Sequence, residues 1–154
     1  MNTVNKVIST TTMANKDNIR RGRAGEYFAA YVLEKHGAET YRVDGAFDLI
    51  CLANNDLIQI EVKSATASYK QAINIGQYKF YRSRAEHDYI TPAYTCLVAI
   101  DRGVMRIVKG DVFTTKSGIL TMSGKEFTHE KMKEDIRNFL LDCGFDDSIP
   151  EHWT

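Results

Sequence analysis

The sequence lacks the features of a membrane-spanning or disulfide-stabilised protein. It contains no apolar run near the ~18 residues that a spanning helix needs, and its first residues lack the apolar core of a signal peptide. The three cysteines, Cys51, Cys96 and Cys143, are an odd number without CxxC spacing. Cys51 and Cys96 lie in apolar runs typical of strands. We therefore expect buried free thiols in an intracellular, reducing compartment and no membrane partner.

Several catalytic motifs are also missing. There is no GxxxxGK[ST] loop for nucleotide phosphates, no GxGxxG after a strand, no HExxH and no GxSxG. The four histidines are scattered along the chain, and none lies at ligand spacing from another. This pattern argues against a zinc site.

Charge is balanced over the whole chain but not along it. The formal net charge is zero, yet residues 1–84 contain 12 Lys and Arg against 8 Asp and Glu. This excess favours an anionic partner for the first half of the chain, although solvated helix surfaces would give the same pattern. The candidates for nucleic-acid contact in this half are Arg20, Arg21, Arg23, Lys70 and Lys79.

The length of 154 residues is typical of one domain with a proper core. We expect residues 1–16 to form a loose arm, residues 17–145 a single domain, and residues 146–154 an acidic tail. The pattern of elements predicts an α/β fold, with a central mixed sheet of about four to five strands flanked by helices. The predicted elements are a helix from Asp17 or Asn18 to Lys35, a strand at 39–43, a hairpin at 47–63, a helix at 77–86, strands at 94–100 and 104–108, and a helix at 129–141.

Two of the helices carry features that bear on the site. In the first, Ala24, Phe28, Tyr31 and Val32 recur at helical spacing and predict its buried face. In the helix predicted at 77–86, aromatic rings alternate with cations, which suits base stacking and phosphate contact. The alternative is an amphipathic helix that packs its aromatic side chains on the sheet, and for Phe80 we favour this alternative.

The hairpin at 47–63 is the most informative stretch. A turn at Ala53-Asn54-Asn55-Asp56 would pair Leu52 with Leu57, and the same register places Asp48 opposite Glu61. Like charges at facing positions repel, and Lys63 projects from the same face as Glu61. Two facing carboxylates beside a lysine are unfavourable for stability, but they suit a hard divalent cation held against a phosphate.

These residues resemble the catalytic motif of the PD-(D/E)xK nuclease superfamily. The motif residues are Asp48 and the triplet Glu61-Val62-Lys63 on the next strand. Gly25-Glu26 resembles the first-helix glutamate of the homing endonuclease-like and Holliday junction resolvase-like branches. Gln77 and Tyr81 resemble the QxxxY element of RecB-like branches. The proline that precedes the aspartate in the family is Phe47 here.

The resemblance implies a restriction-endonuclease-like core and a role for each motif residue. Asp48, Glu61, the backbone carbonyl of Val62 and Glu26 would bind Mg²⁺ or Mn²⁺. Lys63 would orient or deprotonate the attacking water and stabilise developing charge. Gln77, Tyr81 and Ser64 join the basic residues as candidates for DNA contact. Without the resemblance, we would interpret Glu26 as an ordinary exposed helix residue. Lys63 would then be an ion-pair partner of Glu61 or Asp48 without a catalytic role.

The implied function is a metal-dependent DNA endonuclease, with the homing endonuclease type favoured over a junction resolvase or a restriction or repair enzyme. A homodimer or tetramer is expected, because cutting both strands usually needs two sites. An alternative of another class is a non-catalytic DNA-binding module that retains the fold. The intact Asp48, Glu61 and Lys63 argue against this alternative.

Overall fold

The computed structural model describes residues 2–43, 48–53, 56–68, 76–82, 91–113 and 117–144, with side chains from residue 16 onward. Its two helices lie at the ends of the described chain and its seven strands between them. The elements in chain order are α1 (Asn2–Lys35), β1 (Glu39–Arg42), β2 (Leu49–Ala53), β3 (Asp56–Ala65), β4 (Gln77–Tyr81), β5 (Tyr94–Ala99), β6 (Val104–Lys109), β7 (Ile119–Ser123) and α2 (His129–Cys143).

Five strands form a mixed sheet in the order β1-β2-β3-β5-β6. The pair β3–β5 is parallel and the other pairs are antiparallel. Every residue of β5 is buried, which confirms the predicted central strand, and its hairpin with β6 is also confirmed. A mixed α/β fold with a five-stranded sheet flanked by helices is therefore as predicted. No helix in the described part of the chain is long and apolar enough to cross a membrane.

The two faces of this sheet are covered by different layers. On one face, Ile60, Val62 and Cys96 pack with buried residues of α1 and α2. On the other face, Ala65, Leu97 and Ala99 pack against the small sheet formed by β4 and β7. Since side chains alternate along a strand, Glu61 and Lys63 project from the same face as Ala65. They therefore lie on the face opposite the helices.

Helix α1 begins at Asn2, so residues 2–16 are helical and not the loose arm that was expected. This stretch contains neither glycine nor proline, so nothing in it interrupts the helix. The end at Lys35 is as predicted, and Gly37 follows with a φ of 96°. The tail at 146–154 lies outside the described residues.

The buried stripe of α1 differs from the predicted one. Gly25, Ala29, Val32 and Leu33 are buried, whereas Ala24 is exposed and Tyr31 is 61% exposed. The predicted stripe is confirmed for Val32, and Phe28 packs partly buried against the core, but the stripe is wrong for Ala24 and Tyr31. The small residues Gly25 and Ala29 face the sheet instead, which lets the helix approach it closely.

The helix predicted at 77–86 is wrong for the residues described there. Gln77–Tyr81 form strand β4, in which Tyr78 and Phe80 are buried and Gln77, Lys79 and Tyr81 are exposed. Alternation of polar and aromatic residues with period two is the strand pattern, and the unpredicted strand β7 supplies its partner. The inward packing favoured for Phe80 is confirmed. Residues 83–86 lie outside the described chain.

The remaining predictions for core elements hold. Helix α2 runs from His129 to Cys143, with Thr128 as its N-cap and Gly144 in the left-handed region as its C-cap. Ile136, Phe139 and Leu140 are buried on the predicted face. Cys51 and Cys96 are buried free thiols, also as predicted.

Candidate active site

The hairpin of β2 and β3 has the predicted register. Leu52 pairs with Leu57, and the ladder continues to Leu49 opposite Ile60. Ala53 also pairs with Asp56, so the connection is shorter than the predicted four-residue loop and comprises residues 54–55, outside the described chain. Asp48 and Glu61 are the next positions along the two strands.

Asp48 lies just before β2, and its side chain is held by a contact with the backbone of β3. Its Oδ2 accepts a hydrogen bond of 2.8 Å from the amide nitrogen of Val62. Val62 lies between Glu61 and Lys63 on β3, so this bond ties the Asp48 carboxylate to the Glu61-Val62-Lys63 triplet. The sequence register alone predicted the juxtaposition but not the hydrogen bond.

The surroundings of Asp48 oppose its ionisation. The net effect raises the pKa of Asp48 to about 7: burial raises it most, the charges of Glu61 and Glu26 also raise it, and the hydrogen bond from Val62 and the charge of Lys63 lower it. The three carboxylates are therefore close enough to repel one another. This leaves the site with more negative charge than Lys63 compensates.

Glu61 and Lys63 form an ion pair on the face of β3 opposite the helices. Lys63 Nζ lies 3.1 Å from Glu61 Oε1, with the two side chains 20% and 12% exposed. Among the described residues, Glu61 is the one charged residue classed as buried. Because burying an unpaired carboxylate is costly, the pair stabilises Glu61 and holds the ammonium group beside Asp48.

Glu26 contacts Arg42 of β1. Arg42 Nη2 lies 2.9 Å from Glu26 Oε2, and the Arg42 guanidinium lies 4.2 Å from the centre of the Tyr27 ring. Arg42 pairs with Leu49, the residue after Asp48, which brings this cluster to the edge of the site. Arg42 and Tyr27 were not among the predicted site residues. Arg42 could have been found from the sequence, because it is a cation at the end of β1 and pairs with Leu49, the residue after Asp48.

Gly25 sets the distance between α1 and β3. A Cβ atom at Gly25 would lie 1.7 Å from Ser64 Oγ and 3.0 Å from Ser64 Cβ. The Ser64 hydroxyl is buried without a hydrogen-bond partner among the described residues. Ser64 thus faces the helix, away from the side chains of Glu61 and Lys63, and this position does not suit the DNA contact suggested by the resemblance.

The remaining predicted residues lie apart from the carboxylates. Arg20 and Arg23 are exposed on α1, and Arg21 pairs with Asp17 at 3.5 Å. Within the described part of the chain, no recorded contact joins these arginines to Asp48, Glu61 or Lys63. Gln77, Lys79 and Tyr81 lie on the exposed side of β4, and Lys70 lies outside the described residues.

The donor set fits some metal ions and not others. Among the described residues, no three His, Cys, Asp or Glu side chains form a group that could hold a metal ion by themselves. Zinc sites use three or four protein ligands, mostly Cys and His. Mg²⁺ usually keeps several waters and binds one or two carboxylates plus substrate phosphates. Asp48 and Glu61, with their excess negative charge, fit such an ion.

A pH-dependent stability follows from the raised pKa of Asp48. In the absence of divalent cations, the folded protein keeps a proton on Asp48 that the unfolded chain loses above its ordinary pKa of 3.8. The contribution of Asp48 to the free energy of unfolding therefore falls as the pH rises from about 4 to about 7. In urea unfolding across this range, the free energy of unfolding of the wild type should include a decline with rising pH that is missing in Asp48→Asn. Asp56→Asn, at an exposed aspartate of the same hairpin, should behave like wild type.

Comparison with known proteins adds evidence on the fold. No protein-family model and no curated protein sequence matches the chain. Among solved structures, the fold is similar to that of a bacterial homing endonuclease, I-Ssp6803I, with a TM-score of 0.52. The match covers 79% of this chain and 95% of the other, at 14% sequence identity. At this identity the similarity concerns the fold alone.

Proposed function

We propose that this protein is a metal-dependent DNA endonuclease of the PD-(D/E)xK type, similar in kind to homing endonucleases. One observation carries the proposal: the Asp48 carboxylate accepts a hydrogen bond from the backbone amide of Val62, between Glu61 and Lys63. This bond assembles two acidic groups and an ammonium group at one end of a hairpin. The similarity of the fold to that of a homing endonuclease supports the same assignment.

The two carboxylates would hold the cation. Asp48 and Glu61 would bind Mg²⁺ or Mn²⁺ together with the backbone carbonyl of Val62, leaving the other positions to water and the scissile phosphate. When bound, such a cation polarises the phosphate and lowers the pKa of a coordinated water. Its charge would also offset the repulsion that raises the pKa of Asp48.

Lys63 would act on the reacting groups directly. Its ammonium group is held 3.1 Å from Glu61, so it is positioned at the site before substrate arrives. A preorganised cation stabilises the charge that develops on a phosphate in the transition state. From the same position, Lys63 would orient the attacking water.

Glu26 would support the site from its edge. Its contact with Arg42 compensates part of its charge and holds it near Asp48. With Mg²⁺ present, Glu26 would bind one of the waters of the cation. Cutting both strands of a duplex needs two such sites, so we include a homodimer or tetramer in the proposal.

Cleavage of a DNA panel tests this function. Wild-type protein would be incubated with linear duplex, supercoiled plasmid, a four-way junction and single-stranded DNA, each with Mg²⁺ and with a chelator. We expect the duplex substrates to be cleaved in the presence of Mg²⁺ and to stay intact in the presence of the chelator. Preferential cleavage of the four-way junction would reassign the protein as a resolvase. Intact substrates under every condition would leave the non-catalytic DNA-binding module as the better explanation.

A further inference from the structure

The small sheet of β4 and β7 is a two-stranded ribbon with one buried and one exposed side. On the buried side, Tyr78 and Phe80 pack into the core, where the Tyr78 ring lies 4.7 Å from that of Phe127. This packing holds the ribbon on the five-stranded sheet. On the exposed side, the register places together six residues that we call the outer ribbon face, namely Gln77, Lys79, Tyr81, Ile119, Thr121 and Ser123.

The composition of the outer ribbon face suits a nucleic-acid partner. All six residues are exposed, and none is acidic. Lys79 provides a positive charge, and exposed Lys125 follows the end of β7. Gln77, Thr121 and Ser123 offer hydrogen-bond donors and acceptors, and Tyr81 and Ile119 offer apolar surface. The charge of this face is therefore complementary to that of DNA.

The shape of the ribbon also matches duplex DNA. The major groove, about 12 Å wide, admits a two-stranded β-ribbon. Each residue type on this face has a partner on base edges there: Gln with adenine, Lys with guanine, Ser or Thr with several bases, and apolar groups with the thymine methyl. A single-stranded partner would instead call for a row of stacking rings, whereas this face carries only Tyr81.

The outer ribbon face is also tied to the candidate active site. The ribbon covers the same face of the five-stranded sheet from which Glu61 and Lys63 project. Backbone hydrogen bonds of 2.9 and 3.1 Å join Ser68 to Gln77. Ser68 follows Lys63 by five residues, which span at most about 17 Å. The cross-strand step from Ser68 to Gln77 adds about 5 Å and the two residues on to Lys79 add about 7 Å. The resulting bound of about 30 Å corresponds to about nine base pairs at about 3.4 Å per base step.

We propose that the outer ribbon face enters the major groove of duplex DNA and contributes base preference within about nine base pairs of the cut. This inference rests on the proposed nuclease function and adds to it a surface that selects sequence. Gln77 and Lys79 are the principal contacts, with Thr121 opposite Lys79 on the neighbouring strand. A change on this face alters which sequences are cut and leaves the cleavage machinery intact.

A randomised cleavage library tests the inference. Linear duplexes with a random central segment are cut with Mg²⁺, and the bases flanking each cut are counted for wild type, Gln77→Ala, Lys79→Ala and Thr121→Ala. Lys133→Ala is the matched control, because it removes the same charge from an exposed position on α2. Thermal unfolding of each variant verifies the fold.

The expected result is a local loss of preference. For at least one position within about nine base pairs of the cut, Gln77→Ala or Lys79→Ala lowers the ratio of preferred to disfavoured base about tenfold. Lys133→Ala keeps both the preference and the total rate of cutting of wild type.

Several results would overturn the inference. A wild type that cuts without base preference, ribbon variants that keep the preference, or an equal loss in Lys133→Ala would each refute the role of the ribbon and leave the nuclease assignment standing. Ribbon variants that change the oligomeric state in place of base preference would assign the face to a second copy of the chain. A wild type that cuts no duplex would remove the proposed function and this inference together.

Discussion

Lys63→Ala should lower the rate of DNA cleavage by about 100-fold to 1,000-fold, the loss typical when one preorganised group that stabilises transition-state charge is removed. Lys63 Nζ lies 3.1 Å from Glu61 Oε1, and the Asp48 carboxylate accepts a hydrogen bond from the amide of the intervening Val62. No other described cation has a recorded contact with Asp48 or Glu61. The protein therefore offers no described substitute for this ammonium group.

The same substitution should spare metal binding, at a cost in stability because the buried Glu61 loses its ion-pair partner. Removing Lys63 leaves Glu61 with an uncompensated charge, which favours a divalent cation. Calorimetric titration of Mn²⁺ should thus show affinity at least equal to that of wild type, while single-turnover cleavage is lost. Lys109→Ala is the matched control, because Lys109 also pairs with a carboxylate, at 3.2 Å from Asp142, but lies on β6 away from the site. Wild-type cleavage by Lys63→Ala would show that Lys63 is only an ion-pair partner.

Gly25→Ala should destabilise the protein by overpacking the contact between α1 and β3. The added Cβ would lie 1.7 Å from Ser64 Oγ, so α1 and β3 would have to separate. Overpacking of this kind costs about 1–3 kcal/mol of the free energy of unfolding. Because Glu26 follows Gly25, the displacement would also move Glu26 relative to Asp48. We expect a lower midpoint in urea unfolding and reduced cleavage.

Two further variants make this prediction specific. Gly22→Ala lies on the same helix with no atom within 4 Å of the added Cβ, so it should stabilise the protein by about 0.5–1 kcal/mol through helix propensity alone. Combining Gly25→Ala with Ser64→Gly removes both Ser64 atoms that the new Cβ meets and leaves an ordinary contact with Val62 Cγ1 at 3.8 Å, so it should recover most of the stability. Equal effects of Gly22→Ala and Gly25→Ala would show that the close approach of α1 to β3 has no energetic importance.

The hairpin was predictable because its information is local. The turn residues between two apolar runs determine the pairing of Leu52 with Leu57, and alternation then brings Asp48 and Glu61 to adjacent positions. The hydrogen bond from Val62 to Asp48 was not predictable, because it depends on how the chain enters β2. Local patterns therefore gave the members of the site but not its geometry.

The errors have a common physical origin in tertiary contacts. Residues 77–81 were assigned to a helix because their partner, β7, lies far along the chain and carries no strong strand signal of its own. The stripe on α1 was misplaced because its contact with β3 uses Gly25, whose importance comes from Ser64. The contact of Arg42 with Glu26 and Tyr27 likewise joins residues of different elements. The periodicity of one segment cannot predict contacts of this kind between residues of different elements.

In the proposed mechanism, Asp48 and Glu61 hold the cation on which cleavage depends. This is tested by the rate of supercoiled plasmid cleavage as a function of Mg²⁺ concentration for wild type and Asp48→Asn. We expect no wild-type cleavage in chelator and a rate that rises to saturation with Mg²⁺, whereas the variant shows no response at any concentration. A variant that follows the wild-type curve, or a wild-type rate that persists in chelator, would contradict this mechanism.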